Sequence, residues 1–201
     1  VVAIDGPAGA GKSTVARAVA ERLGFTYLDS GAMYRSVALA ARQRGRPPAD
    51  VACELRIELG DGVHVDGVDV TADIRQPEIS QAASQAAADP RVREAMVAEQ
   101  RRLLAQGDWV AEGRDIGTVV APDADVKVFL DADPAERARR RAAEMGVDPE
   151  QVMAELATRD ERDRTRTISP LVADPDAVVL DSTRLTLDEV VDRVVDLVQS
   201  R

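Results

Sequence analysis

Gly6, Gly11, Lys12 and Ser13 lie in the run GPAGAGKST, from Gly6 to Thr14, at the spacing G-x-x-x-x-G-K-[ST]. The chemistry this spacing suits is the holding of a nucleotide's phosphates. Its glycines let successive backbone N–H groups turn inward around phosphate oxygens, and the helix that follows adds its positive N-terminal end. Gly6, Pro7, Ala8, Gly9, Ala10, Gly11, Lys12, Ser13 and Thr14 are therefore the candidate ATP-binding residues. Lys12 is expected to reach the β- and γ-phosphates, and the Ser13 hydroxyl to ligate Mg²⁺, the cofactor that accompanies ATP. The loop has the context it needs, because a strand ends at Asp5 and a helix starts near Lys12.

Phosphate binding leaves open what is done with the nucleotide. A nucleotide-state switch for GTP would normally carry an Asn-Lys-x-Asp signature, which the chain lacks. A motor ATPase usually has a long apolar strand ending in paired acids, whereas the nearest candidate, WVAEG, ends in the single Glu112. A kinase that passes the γ-phosphoryl to a small acceptor suits the chain best. A regulatory module that binds ATP without transfer is the rival from another class.

The stretch LDSGAMYR, residues 28–35, bears on the acceptor. It falls at the next strand-to-helix junction, and in an open α/β sheet such junctions face the crevice where ligands bind. Ser30 is expected to cap the helix starting near Ala32. Tyr34 and Arg35 are harder to account for structurally, since a guanidinium grips phosphate bidentately. A second anionic group, carried by the acceptor, is the natural partner.

These residues must be positioned by strands and helices, and the apolar spacing sets which. Residues 1–5 and 26–29 read as strands, and 12–23 and 32–44 as helices. Such alternation implies a parallel sheet with crossover helices. Residues 55–70 change to a period of two with turn signals at Asp61-Gly62 and Asp66-Gly67, the pattern of a small antiparallel meander. Helices over about 76–87 and 90–106 follow, and the strand–helix pattern then resumes, with Asp133 as an N-cap ahead of Pro134. A further helix beyond Pro149 ends in RDERDRTR, and DAVVLDS and an amphipathic helix over 187–199 close the chain. The expected fold is α/β, a five-stranded parallel sheet flanked by helices, with residues 1–54 and 107–201 as the core and 55–106 as an insertion. The run RARRR, residues 137–141, opens a short lid over about 137–165.

Composition narrows the setting. Apolar residues make up 45% of the 201 and charged residues 31%, ordinary for a globular chain, and no apolar run is long enough to span a bilayer. The net charge of −10 argues against nucleic acid as a partner. Of 26 basic residues only Lys12 and Lys127 are lysine, and one of them stands in the phosphate loop, where a compact point charge is wanted. Cys53 is the lone cysteine, which excludes an internal disulfide and suits a reducing cytoplasm; lying near a strand, it reads as inert packing. No long apolar stripe argues for self-association, so a monomer is expected. His64 in the meander and Trp109 at a strand start read as structural.

GPAGAGKST, LDSGAMYR, QAAS…PRVRE, EGRDIGTVV and RDERDRTR…PL occur in an order and spacing that resemble the bacterial cytidylate kinases, and the resemblance covers essentially the whole chain. It implies a P-loop kinase that phosphorylates CMP and dCMP with ATP in pyrimidine nucleotide metabolism. It also implies roles for matched residues. Ser30, Tyr34, Arg35, Ser84, Arg93, Arg114, Asp115, Arg159, Asp163 and Arg166 would bind the substrate. Arg35 and Arg114 would hold the CMP phosphate, Ser84, Arg93 and Asp115 read the cytosine edge, and Arg159 and Asp163 contact the sugar. Lys12, Arg114, Arg162 and Arg166 are the catalytic candidates, although Arg162, like Arg164, also suits surface pairing. Glu112 stands where the family often has aspartate, which leaves its place in the metal's water shell open. A P-loop kinase for UMP, AMP, shikimate or dephospho-coenzyme A is the alternative enzyme.

Overall fold

Val2, Ala3 and Ile4 carry no polar side chain and form β1 (Val2–Asp5), the buried central strand of the computed structural model, which describes residues 1–201. Around it a five-stranded sheet takes the order β2 (Thr26–Asp29), β6 (Trp109–Gly113), β1, β7 (Val126–Asp131), β8 (Val178–Asp181). β1 pairs in parallel with β6 and with β7, and β7 in parallel with β8; the first pairing sets Ile4 beside Glu112 and Asp5 beside Gly113. Asp5 and Glu112 therefore arrive together at the carboxyl ends of neighbouring strands, the edge at which ligands bind in such sheets.

By packing, the chain divides into two compact units. The first comprises Val1–Tyr27 and Gln106–Arg201. Its core is aliphatic, as the scarcity of aromatics requires, with Val2, Ile4, Val15, Val19, Val110, Val128, Leu130 and Val194 buried together. The helices α1 (Lys12–Leu23) and α8 (Leu187–Gln199) contribute to this core and pack on one another. A capping box at Thr186 and Glu189 fixes the start of α8. The helices α6 (Pro134–Met145) and α7 (Pro149–Thr165) pair through Ala138, Ala142, Val152 and Leu156, which close around Ala8 of the phosphate loop. Asp133 and Asp148 cap them, each accepting a backbone N–H at 2.8 Å.

The second unit, Leu28–Ala105, holds α2 (Ser30–Arg44), α3 (Pro48–Ala52), an antiparallel meander of β3 (Ile57–Leu59), β4 (Val63–Val65) and β5 (Val68–Asp69), then α4 (Pro77–Ala86) and α5 (Pro90–Leu104). Helix α2 packs against α4, and α3 against α5. Residues 28–54 thus cluster with the meander and its helices, while the sequence alone groups them with the sheet.

Two local expectations are corrected. Helix α2 begins at Ser30, and its N-cap is Asp29, whose Oδ1 accepts the Ala32 N–H at 2.7 Å. Both residue types cap well; what decides is that Asp29 holds an extended backbone, φ −94° and ψ 94°, while Ser30 is already helical. Cys53 is exposed at the C-cap of α3 and does not pack in a core. No helix is long and apolar enough to cross a membrane.

Candidate active site

The phosphate loop is shaped by close approach. A Cβ on Gly6 would lie 2.0 Å from the Leu130 carbonyl oxygen of β7, so only glycine fits where the chain leaves β1. Gly11, at φ 88°, is the N-cap of α1 and offers no side-chain acceptor, which leaves the amides of the first turn open to an anion. Lys12 is buried, and its ammonium reaches back across the loop to donate to the Pro7 carbonyl at 2.7 Å. Burial pulls the Lys12 pKa far below its ordinary value, and the positive fields of Arg114 and Arg159 pull it further, against Glu112 and Asp5. A phosphate relieves all of this at once: it partners the ammonium and offsets the guanidiniums.

Those guanidiniums belong to a buried charge cluster in the same unit. Arg114 Nε donates to Asp163 Oδ2 at 3.0 Å. Arg166 stands between two carboxylates, 3.7 Å from Asp163 Oδ1 and 3.8 Å from Asp115 Oδ1. Burial alone would raise the Asp163 pKa, but Arg114, Arg159 and Arg166 more than offset it and hold the carboxyl below its usual range. Asp163 is therefore an anion that pairs with Arg114 and Arg166 and feels the charge of Arg159. On α7, Arg159, Arg162 and Asp163 share one helix face at the i, i+3, i+4 spacing, and Arg166 follows at the C-cap, where the backbone is extended. Arg159 and Arg162 are half-buried there and Arg164 is exposed.

Arg114 and Asp115 follow β6, and the backbone after them is held by a residue that sequence reasoning missed. Asp5, at the end of β1, accepts the N–H of Ile116 at 2.8 Å and of Gly117 at 2.7 Å, the first residues of a π-helical turn, Ile116–Val120. Burial pushes the Asp5 carboxyl up to about 6, although both amides favour its ionised form. Glu112 is likewise fixed by a residue not singled out in sequence: the Tyr27 hydroxyl donates to its Oε1 at 2.7 Å, and the Arg17 guanidinium lies 5.1 Å from the Tyr27 ring centroid. Distance along the chain hides the contacts of Asp5 and Glu112, whose partners lie more than eighty residues away.

In the second unit the sequence-derived residues also gather. Arg35 donates to Asp29 Oδ2 at 3.0 Å, so one carboxylate both caps α2 and aims the guanidinium. The Arg93 guanidinium sits 5.4 Å from the Tyr34 ring centroid and donates to the Ala87 carbonyl at 3.2 Å. Ser30, Tyr34, Ser84 and Arg93 are all buried.

The arginines of the run RARRR separate sharply. Arg137 is buried in a fixed network, Arg139 and Arg141 are at the surface paired with Glu136 and Glu144, and Arg140 bridges Glu136 and Ser182. For a metal, no three His, Cys, Asp or Glu side chains gather into a cage. The oxygens of Ser13 and Glu112 suit Mg²⁺, which usually takes most of its ligands from water and substrate phosphates.

A family model described as cytidylate kinase matches residues 2–200. A cytidylate kinase of Solibacter usitatus (strain Ellin6076) is 52% identical, covering 100% of this chain and 93% of its own length. One from Fervidobacterium nodosum (strain ATCC 35602 / DSM 5306 / Rt17-B1) is 44% identical, covering 100% and 96%. Among solved structures, a gluconokinase from Sinorhizobium meliloti 1021 superposes with a TM-score of 0.53 at 18% identity, covering 100% of this chain and 91% of that one, a likeness of fold.

Proposed function

The chain belongs to the cytidylate kinase family, and from that premise we propose how its residues divide the work of moving the γ-phosphoryl of ATP to CMP or dCMP, giving CDP or dCDP and ADP. The phosphate loop, Gly6–Thr14, takes the ATP phosphates, with Lys12 on the β- and γ-groups. Mg²⁺, when bound with the nucleotide, neutralises phosphate charge, and the Ser13 hydroxyl would hold it, with Glu112 in its water shell. Arg35 and Arg114 grip the acceptor phosphate; Ser84, Arg93 and Asp115 read cytosine; Arg159 and Asp163 meet the sugar; Ser30 and Tyr34 complete the acceptor's surroundings. Arg166, and with it Arg162, faces the charge that builds on the phosphoryl in flight.

The observation that carries this reading is the cluster of Arg114, Arg159 and Arg166 around Asp163, with the fields of Arg114 and Arg159 felt at Lys12. A non-transferring ATP binder has no use for a second set of clustered, largely buried guanidiniums. The chemistry asks little covalent work of the protein. The acceptor phosphate is already ionised at neutral pH, so no general base is needed, and positioning with charge neutralisation supplies the rate. Cytosine donates from its exocyclic amino group where uracil accepts, so the Asp115 carboxylate favours C over U.

The test is an ADP-release assay with ATP and, in turn, CMP, dCMP, UMP, AMP, shikimate and dephospho-coenzyme A. CMP and dCMP are expected to give the highest kcat/KM. A faster turnover with any of the other acceptors, or no acceptor-dependent ADP at all, overturns the assignment.

A further inference from the structure

Asp160 and Arg137 form an ion pair that the acceptor assignment leaves unused. Their residues are 3% and 5% exposed. Arg137, on α6, donates through Nη1 both to Asp160 Oδ2 and, at 2.9 Å, to the Ala8 carbonyl; its Nε donates to the Ala132 carbonyl at 3.0 Å. Asp160, on α7, accepts the Ala8 N–H on Oδ1 at 3.1 Å. Both polar groups of one phosphate-loop residue are therefore held by one charge pair drawn from two helices. The fit around that residue is close: a Cβ on Gly9 would lie 2.9 Å from the Arg137 carbonyl oxygen and 3.1 Å from its Cβ. Ala8 itself packs among Ala138, Ala142, Val152 and Leu156.

We propose that Arg137 and Asp160 are a positioning pair for phosphoryl transfer, which fixes the Ala8 peptide so that the amides of Gly9 to Lys12 stay turned toward the ATP phosphates. This rests on the assignment of Gly6–Thr14 to ATP above. A loop with positive φ at Gly9, 76°, and Gly11, 88°, has alternative peptide orientations within easy reach, since glycine populates either sign of φ. Pro7 has no N–H and only its carbonyl is held, by Lys12, so Ala8 is the residue after it whose N–H and carbonyl can both be tied down. The pair ties both. It also links the loop to the packing of α6 on α7, so that ATP affinity and the order of those helices rise and fall together.

A purely stabilising role predicts something different, and the two can be separated. Replacing a buried ion pair with apolar side chains of similar volume is often neutral for stability, whereas removing one partner strands a buried charge. The double variant Arg137→Met/Asp160→Leu is expected to melt within about 5 °C of wild type and yet to bind ATP at least about tenfold more weakly, by equilibrium binding without acceptor and by KM, while KM for CMP moves less than about threefold. A double variant that is folded and binds ATP as wild type does makes the pair structural only and overturns the proposal. Should the double variant not fold, Asp160→Asn serves: it keeps an oxygen for the Ala8 N–H but sets an amide against Arg137. Its KM for ATP is expected to rise more than its KM for CMP, and an unchanged KM for ATP overturns the proposal equally. Wild-type protein that fails to bind ATP sinks the loop assignment itself, whereas wild type and variants that bind ATP alike sink only the positioning pair.

Discussion

At the scale of single residues, three side chains carry separable consequences. Lys12 is buried and its charge is opposed by Arg114 and Arg159, an arrangement that a bound phosphate would relieve. Lys12→Ala is expected to lower kcat/KM by at least about a thousandfold, the loss of ground- and transition-state charge neutralisation together, without lowering the melting temperature of the unliganded protein. A folded variant with a near-normal rate removes Lys12 from the chemistry. Asp115 is tested by selectivity: Asp115→Ala should shrink the ratio of kcat/KM for CMP over UMP by at least about tenfold, since a base-reading acceptor is lost. An unchanged ratio places base reading elsewhere. Asp5 is tested by pH. Its folded pKa of about 6 lies above the 3.8 of the free side chain, so between those values the native state holds a proton that the unfolded chain has released. Stability from Asp5 is therefore fully present below pH 3.8 and is lost as pH rises through 6, by ~3 kcal/mol. In urea melts at pH 4.5 and pH 7, the stability of wild type relative to Asp5→Asn should fall by about 2 kcal/mol, the rest of the loss having occurred below pH 4.5, and a pH-independent difference contradicts the burial effect.

At the scale of elements, the start of α2 joins capping to ligand binding through Asp29. Its Oδ1 holds the Ala32 N–H and its Oδ2 holds Arg35. Asn caps about as well as Asp, whereas Ala loses about 1 kcal/mol. Asp29→Asn is thus expected to melt near wild type and Asp29→Ala several degrees lower, while both raise KM for CMP severalfold because Arg35 loses its guide. Equal KM values for both variants and wild type would mean that Arg35 needs no such guide. The same junction shows what a sequence discloses and what it withholds. The phosphate loop is legible because its geometry is local: glycine spacing, a strand before and a helix after. The parallel strands are legible because burial on both faces leaves unbroken apolar runs such as Val2 to Ile4. The cap was misplaced by one residue because Asp29 and Ser30 are both good caps and only backbone dihedrals choose between them. The run RDERDRTR resembles a solvated helix face, yet Asp160 and Asp163 are buried. Burial there is decided by partners far along the chain, Arg137, Ala8 and Arg114, which no local pattern reports.

At the scale of the whole molecule, the two compact units do not coincide with the boundaries that the sequence pattern suggests, because α2 and α3 join the meander and its helices through packing that spans residues 28–105. The residues assigned to ATP, Gly6–Thr14, lie in the first unit alone, where the α6–α7 pair is proposed to hold them. Those assigned to the acceptor are divided, with Arg35, Ser84 and Arg93 in the second unit and Arg114, Asp115, Arg159, Asp163 and Arg166 in the first. The units should therefore report the two substrates differently. Amide hydrogen exchange resolves this, since protection follows the local free energy of opening. ATP alone is expected to slow exchange at Gly9–Thr14 and along α6 and α7, and to leave α2 and α4 near their unliganded rates. CMP alone is expected to slow exchange at the start of α2 and on α4 as well as at the turn after β6. If CMP protects only the first unit, Ser30, Tyr34, Arg35, Ser84 and Arg93 are not substrate residues, and their burial with Asp29 and Ala87 serves the fold instead. If ATP protects α2 and α4 as strongly as CMP does, the donor draws on both units, and the division of labour argued from the arginine cluster is wrong.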